Sequence, residues 1–426
     1  MKKLLLLMLV LLGGVMQVSA TKTLYLKPSH SDWTNSENNE RYALYVYGNG
    51  DAWIDFTLEK GLFKAEFDDK YTNMIICRMN GSNSTNVWEN CWNQTEDLNW
   101  DQDNLLYEIT GKNDKKYTVT TSSVTSHKIY VQVKDDTSTP YLYAWIGQRK
   151  MNGNWPGTTI STETVGVDNQ TWYVYETLDP SPNFLFNKEN SDTYKTANIN
   201  TNFSSGDAFY FYYPNGSGDK YSPVARKTVS GTNIYATFSW TDGEDNNKGV
   251  NFSDLPANVN AYTLTVAGTS ISKSAFTATL NKAKGLLLEN NTGSDITLSL
   301  PIWNNGNEDA TSNDLYANNA THISQDEAGF TKYILALQDN LVGFYKVNTT
   351  AGNDMGTNTA YLKVATSVGA RASYWFDGET TGINALENLT NSQMDNNAPM
   401  YNLAGQRVNK SYKGVVVVNG KKMLNK

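Results

Sequence analysis

Apolar and polar positions alternate with a period of two in short runs along most of the chain, and Gly and Asn turns interrupt them. Such runs are strands, with successive side chains on opposite faces. LYLKP from Leu24 opens the series. YALYVYGNGDAWIDF from Tyr42 follows, holding a strand, a Gly-Asn-Gly-Asp hairpin signal and another strand; NMIICRM from Asn73 is next. In the strand at Tyr42, residues Ala43, Tyr45 and Tyr47 share one face, and Tyr42, Leu44 and Val46 share the other. FYFYY, Phe209 to Tyr213, closes a second block before a Pro-Asn-Gly-Ser-Gly turn. From Asn258 the runs AYTLTVAGTSI, AFTATL, KGLLLENNTGSDITLSLP, FTKYILALQDNLVGFYKV and TAYLKV form a third set, and a basic hairpin with Asn-Gly turn chemistry follows the Asn-rich linker Glu387 to Asn397. The pattern predicts an all-β protein of tandem antiparallel β-sandwich modules with a short C-terminal β-hairpin-rich segment.

Pro140 to Gly157, PYLYAWIGQRKMNGNWPG, is the stretch with the most chemical content. Leu142, Ala144 and Ile146 fall on one face of a strand and Tyr141, Tyr143 and Trp145 on the other, although Trp145, last of the triplet, is expected in the core. Asn154-Trp155-Pro156-Gly157 then sets an indole at a turn, where Pro restricts Trp155 and Gly frees the next step. Aromatic rings on a rigid sheet suit the apolar C–H faces of sugar rings. One stack covering about 50 Å² is worth roughly 1 kcal/mol, so several rings are needed. Packing against a loop or a second sheet is the competing use of such rings.

An internal repeat surrounds this stretch. Asp51-Ala-Trp-Ile-Asp followed by GLFKAEF, TNMIICRMN and WNQTEDLN runs parallel to Gly153-Asn-Trp-Pro-Gly followed by TWYVYET, PNFLFNKEN and TYKTANIN. The predicted organisation is a leader at residues 1–20, a first module at 21–124, a second at 127–228, a third β-sandwich surface or spacer domain at 233–386 and the C-terminal segment at 398–426. In the first module Trp33, Tyr45, Tyr47 and Trp53 are the candidate platform rings, and an insertion carries Trp88 and Trp92. In the second, Gln148 and Lys150 after the aromatic strand, and Asn187 and Lys188 after FLF, are placed to reach sugar hydroxyls.

Composition narrows the chemistry. With 26 Tyr and 11 Trp among 426 residues but only 18% charged, the chain has the make-up of an extracellular β-protein. A formal charge of −8 argues against a nucleic-acid partner on electrostatic grounds. Lys2-Lys3, the apolar run Leu4 to Leu12 and Val18-Ser19-Ala20 have the form of a signal peptide cleaved near Ala20, and no later apolar run approaches the roughly 20 residues of a membrane span. In an exported chain Cys77 and Cys91 either pair, closing a loop worth about 3 kcal/mol, or remain thiols. His30, His127 and His322 are not spaced with the cysteines, so no metal site or cofactor is expected. The acidic run from Asp242 lacks EF-hand spacing and is expected to be a loop. Catalytic signatures are missing too: no G-x-S-x-G, no H-E-x-x-H, and no βαβ alternation for a barrel hydrolase.

The paired tyrosines with a following Trp, then Trp-Pro-Gly, resemble the family 26 carbohydrate-binding modules over about 100 residues. That resemblance implies starch binding through Tyr141, Tyr143 and Trp155. The first module departs from the pattern, having Trp53-Ile54-Asp55 in place of Trp-Pro-Gly. Tyr401-Asn-Leu-Ala-Gly-Gln-Arg and Lys413-Gly-Val-Val-Val-Val-Asn-Gly-Lys-Lys resemble the C-terminal sorting domains of the Bacteroidetes type IX secretion route. GLLLEN, VGFYKV and NTAYLKV resemble a module of exported proteins from such bacteria. Together these imply a secreted or outer-surface protein without catalysis that binds starch or a related α-glucan, with a cell-surface amylase system as its partner. The alternative is an adhesin or structural protein recognising another glycan or a host protein.

Overall fold

The computed structural model describes residues 20–375 apart from short gaps at 36–38, 101, 204–205, 233, 241–247, 269, 305–311, 319, 326, 339–340, 349, 357 and 369–372, and beyond them residues 400–402, 406–409, 414–418 and 421–425. The leader, the acidic run from Asp242 and the linker Glu387 to Asn397 lie outside the described residues, except for Ala20. The described chain is all β, in several mainly antiparallel sheets, and no helix in it is long and apolar enough to cross a membrane. Two compact units form: one runs to Val165 and resumes over Thr171–Pro223, and the other holds Gly166–Gln170 and the chain from Val224 onward.

The first unit contains two blocks of the same topology. In the earlier block the strands are β1 (Thr21–Lys27), β2 (Glu40–Tyr47), β3 (Asp51–Asp55), β4 (Thr57–Glu59), β5 (Leu62–Asp68), β6 (Asn73–Asn80), β7 (Cys91–Gln94), β8 (Leu98–Asn99), β9 (Leu105–Asn113) and β10 (Lys116–Ser123). They form one sheet in the order β10-β9-β1-β5-β4 and another in the order β3-β2-β6-β7. In the later block β11 (His127–Val133), β12 (Tyr141–Ile146), β13 (Arg149–Lys150), β14 (Thr158–Thr159), β15 (Ser161–Val165), β16 (Gln170–Thr177), β17 (Asn183–Asn187), β18 (Ile199–Asn200) and β19 (Ala208–Tyr212) repeat the plan: β15-β16-β11-β19 faces β13-β12-β17-β18. The first strand of each block pairs in parallel with its late strand, Leu24 with Leu105 and Ile129 with Ala208.

One detail fixes the correspondence residue by residue. A buried threonine latches the strand beside the platform in both blocks. Ile76 N–H donates to Thr95 Oγ1 and Thr95 N–H to Ile76 O, both at 3.0 Å; Phe186 N–H donates to Thr196 Oγ1 at 3.1 Å and Thr196 N–H to Phe186 O at 3.0 Å. Leu44 is opposite Ile76 and Leu142 is opposite Phe186, so Tyr45 matches Tyr143 and Tyr47 matches Trp145.

The buried side chains of the two blocks form one contiguous core, from Leu26, Leu44 and Ile76 to Leu142, Phe184 and Tyr210. Polar contacts lock the join. Lys27 and Asp179, both buried, form an ion pair at 2.6 Å, and Gln148 N–H donates to Thr34 O at 3.0 Å. Gly147, at φ +55°, lies so close to Thr34 that a Cβ would meet its hydroxyl at 2.1 Å.

Cys77 and Cys91 are free thiols, which corrects the disulfide option. Cys77 is opposite Gln94 while Cys91 is opposite Met79, so the two are diagonal across the β6–β7 pair. The register shift between Arg78 and Met79 sets Cys91 against Met79, so the two cysteines do not face each other across the pair. The Cys91 thiol donates to Asn93 O at 3.2 Å; the neighbouring Cys91 thiol and burial push Cys77 up, while the neighbouring Cys77 thiol draws Cys91 down.

In the second unit the strand Gly285–Asn290 is buried along its whole length. Leu286 and Leu288 enter a core with Phe238, Phe252 and Leu298, while Leu287 joins Leu264, Tyr333 and Phe344 in another. Both faces of its sheet are therefore covered, which explains the apolar run from Gly285 to Leu288. Met400–Asn402, Arg407–Val408, Gly414–Val418 and Lys421–Asn425 make a separate four-stranded antiparallel sheet.

Candidate functional site

Strand β12 separates its faces as the alternation requires. Leu142, Ala144 and Ile146 are buried in the core, and Tyr141, Tyr143 and Trp145 are half-buried on the other side. Tyr143 and Trp145 lie nearly parallel, 5.8 Å apart at 28°. Trp145 therefore belongs to the outer face and not to the core, because strand geometry sends residues 143 and 145 the same way. Trp155 meets Tyr143 edge-on, at 5.5 Å and 73°, and is half-buried. An open concavity of about 340 Å³ is lined by Tyr143, Trp145, Gly147, Gln148 and Lys150.

The turn carrying Trp155 is built onto β12 by Asn152. Its side-chain N–H donates to Leu142 O at 2.8 Å and its oxygen accepts from Ala144 N–H at 2.9 Å, so the amide substitutes for a strand neighbour. Met151 N–H donates to Ala144 O at 2.9 Å, and Thr158 Oγ1 to Asn152 O at 2.6 Å. The Trp155–Pro156 peptide is cis. Gly157 sits at φ +101°, and a Cβ there would lie 2.1 Å from Leu142 O, so this position requires glycine.

Polar groups line the rim. Lys150 Nζ donates to Asn154 Oδ1 at 3.3 Å, and Gln148 is exposed. Burial raises the Tyr143 phenol above its ordinary value, so it stays protonated and able to donate. Tyr141 opens the same strand face, opposite Asn187 and Thr159. Lys188 is committed elsewhere. Its ammonium is 2.7 Å from Asp136 and 4.1 Å over the ring of Tyr194.

In the first block Tyr45 and Tyr47 are nearly parallel, 5.7 Å apart at 25°, and Trp53 stands opposite Tyr45 on β3, its ring 5.0 Å away. Trp33 is corrected: a 3-10 turn, Ser31–Trp33, turns it inward, where it is fully buried against Tyr42 and Tyr117. No ligand can stack on it. Sequence reasoning missed the role of Trp88, which packs on both Tyr45 and Trp53; only its place in the insertion was visible. Among the described residues, no group of three or more His, Cys, Asp or Glu side chains is arranged to hold a metal ion.

Fold and site together define a class: β-sandwich blocks that present aromatic rings on the outside of a rigid sheet. No protein-family profile matches the chain, and no curated protein matches it in sequence. Among solved structures it is similar to CBMbc, of family CBM26, from Eubacterium rectale Amy13K in complex with maltoheptaose: 18% identity over 48% of this chain and 96% of that one, at a TM-score of 0.18. It is also similar to a product complex of the multi-modular glycogen-degrading pneumococcal virulence factor SpuA, with 10% identity over 78% of this chain and 38% of that one, at a TM-score of 0.17. Neither likeness is close enough to assign a ligand to this chain.

Proposed function

We propose that this chain is a non-catalytic binder of starch or a related α-glucan, and that the second module, through Tyr143, Trp145 and Trp155, holds the polymer. The observation that carries the reading is the near-parallel Tyr143–Trp145 pair with Trp155 standing against it beside an open concavity. A helical glucan presents curved apolar faces, and rings set at an angle follow that curve better than one plane would. Gln148 and Lys150 offer hydrogen bonds to hydroxyls. The five residues lining the concavity include no carboxylate, whereas glycoside hydrolysis works with a facing pair. Two or three stacks with a few hydrogen bonds give about 5–6 kcal/mol, roughly a tenth of a millimolar. Action outside the cell, beside a partner amylase, fits the leader at residues 1–20 and the sorting-like end.

Affinity electrophoresis of residues 21–426 through gels holding amylopectin, dextran or no polysaccharide tests this, beside Trp155→Ala. Retardation by amylopectin alone, weakened in the variant, is the expected outcome. Unaltered migration in every gel would reject the reading and leave the adhesin or structural alternative.

A further inference from the structure

The first module carries the same ring pair with one addition. Tyr45 and Tyr47 occupy the positions of Tyr143 and Trp145, and Trp53 leans on Tyr45 from the neighbouring strand at 51°. Trp88, 43% exposed, then stands steeply against both Tyr45 (5.0 Å, 67°) and Trp53 (4.9 Å, 63°).

The loop that carries Trp88 is firmly built. Arg41, on β2 itself, donates through Nε to Asn83 O at 2.7 Å and through Nη2 to Thr85 O at 2.9 Å, while Nη1 reaches Asp55 at 3.2 Å and the Asn86 amide oxygen. Charge-assisted bonds of this kind fix geometry.

Register gives the wall a direction. The loop leaves β6 at Asn80, opposite Glu40, whereas Tyr47 is at the other end of β2, opposite Asn73. Trp88 therefore closes the strip of rings at one end, and the strip is open toward Tyr47. At that open end Asp97 accepts from the Tyr47 hydroxyl at 2.7 Å and from Lys116 Nζ at 3.0 Å, so a carboxylate and an ammonium stand there beside the ring. In the second module the matching strip borders an open concavity.

We propose that this walled strip is a second carbohydrate site, which takes the terminus of an α-glucan chain where the second module takes an internal stretch. The proposal rests on the α-glucan reading above. A polymer crossing the strip would run into Trp88; a chain end can abut it, with Tyr45 and Tyr47 alongside and Asp97 as acceptor.

Isothermal titration of the full chain with maltoheptaose and with β-cyclodextrin, a closed ring without chain ends, separates the possibilities. The expected stoichiometry is two for maltoheptaose and one for β-cyclodextrin. Trp155→Ala should abolish the cyclodextrin site and leave one maltoheptaose site, whereas Trp88→Ala, which removes the wall, should keep two maltoheptaose sites and raise cyclodextrin from one to two. Asp97→Asn, which keeps every ring, should weaken only the first-module site. A single maltoheptaose site abolished by Trp155→Ala, or two cyclodextrin sites in the unaltered chain, would overturn the chain-end site and spare the reading of the second module. Silence with both sugars would remove both.

Discussion

The guanidinium of Arg149 lies 3.6 Å from the carboxylate of Glu40, whose side chain is wholly shielded from solvent. Arg149 belongs to β13, the short strand beside the concavity, and Glu40 to β2 of the preceding module. Arg149 also donates to Glu40 O at 2.5 Å, and its plane covers the rings of Tyr42 and Phe63 at 5.2 and 4.9 Å. Arg78 approaches the other carboxylate oxygen at 3.7 Å. Glu40→Gln would leave two shielded cations facing each other, a loss of about 3–5 kcal/mol. Urea denaturation should show a much lower midpoint; an unchanged midpoint would mean that the carboxylate does not hold the join.

Gly157→Ala tests how Trp155 is presented. A methyl group 2.1 Å from Leu142 O, at φ +101°, must push the turn off β12. Strain of about 1–3 kcal/mol is expected, and thermal unfolding should register it. Retardation by amylopectin should weaken as well, because Trp155 moves with the turn.

Asp136 gives a pH dependence with a definite sign. The hydrogen bond from Lys188, then those from Ser138, hold its carboxyl well below the usual carboxylate range. A depressed value means that the folded chain favours the ionised form, so the contribution is complete above about pH 4 and fades as the pH falls below it. Melting temperatures of the unaltered chain should drop more steeply between pH 5 and pH 2.5 than those of Asp136→Asn. Parallel curves would contradict the pairing.

The thiols differ in reactivity. Cys91, drawn down by the neighbouring Cys77 thiol and less buried than it, should be alkylated first by iodoacetamide in the native chain. Peptide mapping after brief labelling reads the order, and equal labelling would argue against the polarised pair.

Much of the face was legible in the sequence where the controlling relation is local. Alternation in PYLYAWI separates Leu142, Ala144 and Ile146 from Tyr141 and Tyr143, and the Gly-Asn-Gly hairpin sets Trp53 opposite Tyr45. The same alternation places Trp145 outward, and expecting it in the core meant overruling the period. What was not legible depends on distant partners. Lys188 looks available until Asp136, 52 residues earlier, reaches it. Trp33 turns inward on a 3-10 turn whose pull comes from Tyr42 and Tyr117, and Trp88 acquires its neighbours only when Arg41 draws the insertion back over β2. The threonine latch at Thr95 and Thr196 is written in both repeats, but a pairing pattern is needed to see it.

The parallel pairing of β1 with β9 also dictates an order of events during synthesis. Leu24 is among the first residues of its module to be made, yet one of its flanks is completed only by Leu105, near the module's end. Ile129 waits in the same way for Ala208. A growing chain can form the local hairpins early, but neither sandwich can shut until its late strand docks against the strand that came first. Contacts of such long separation make closure slow, so each module should ripen late and all at once.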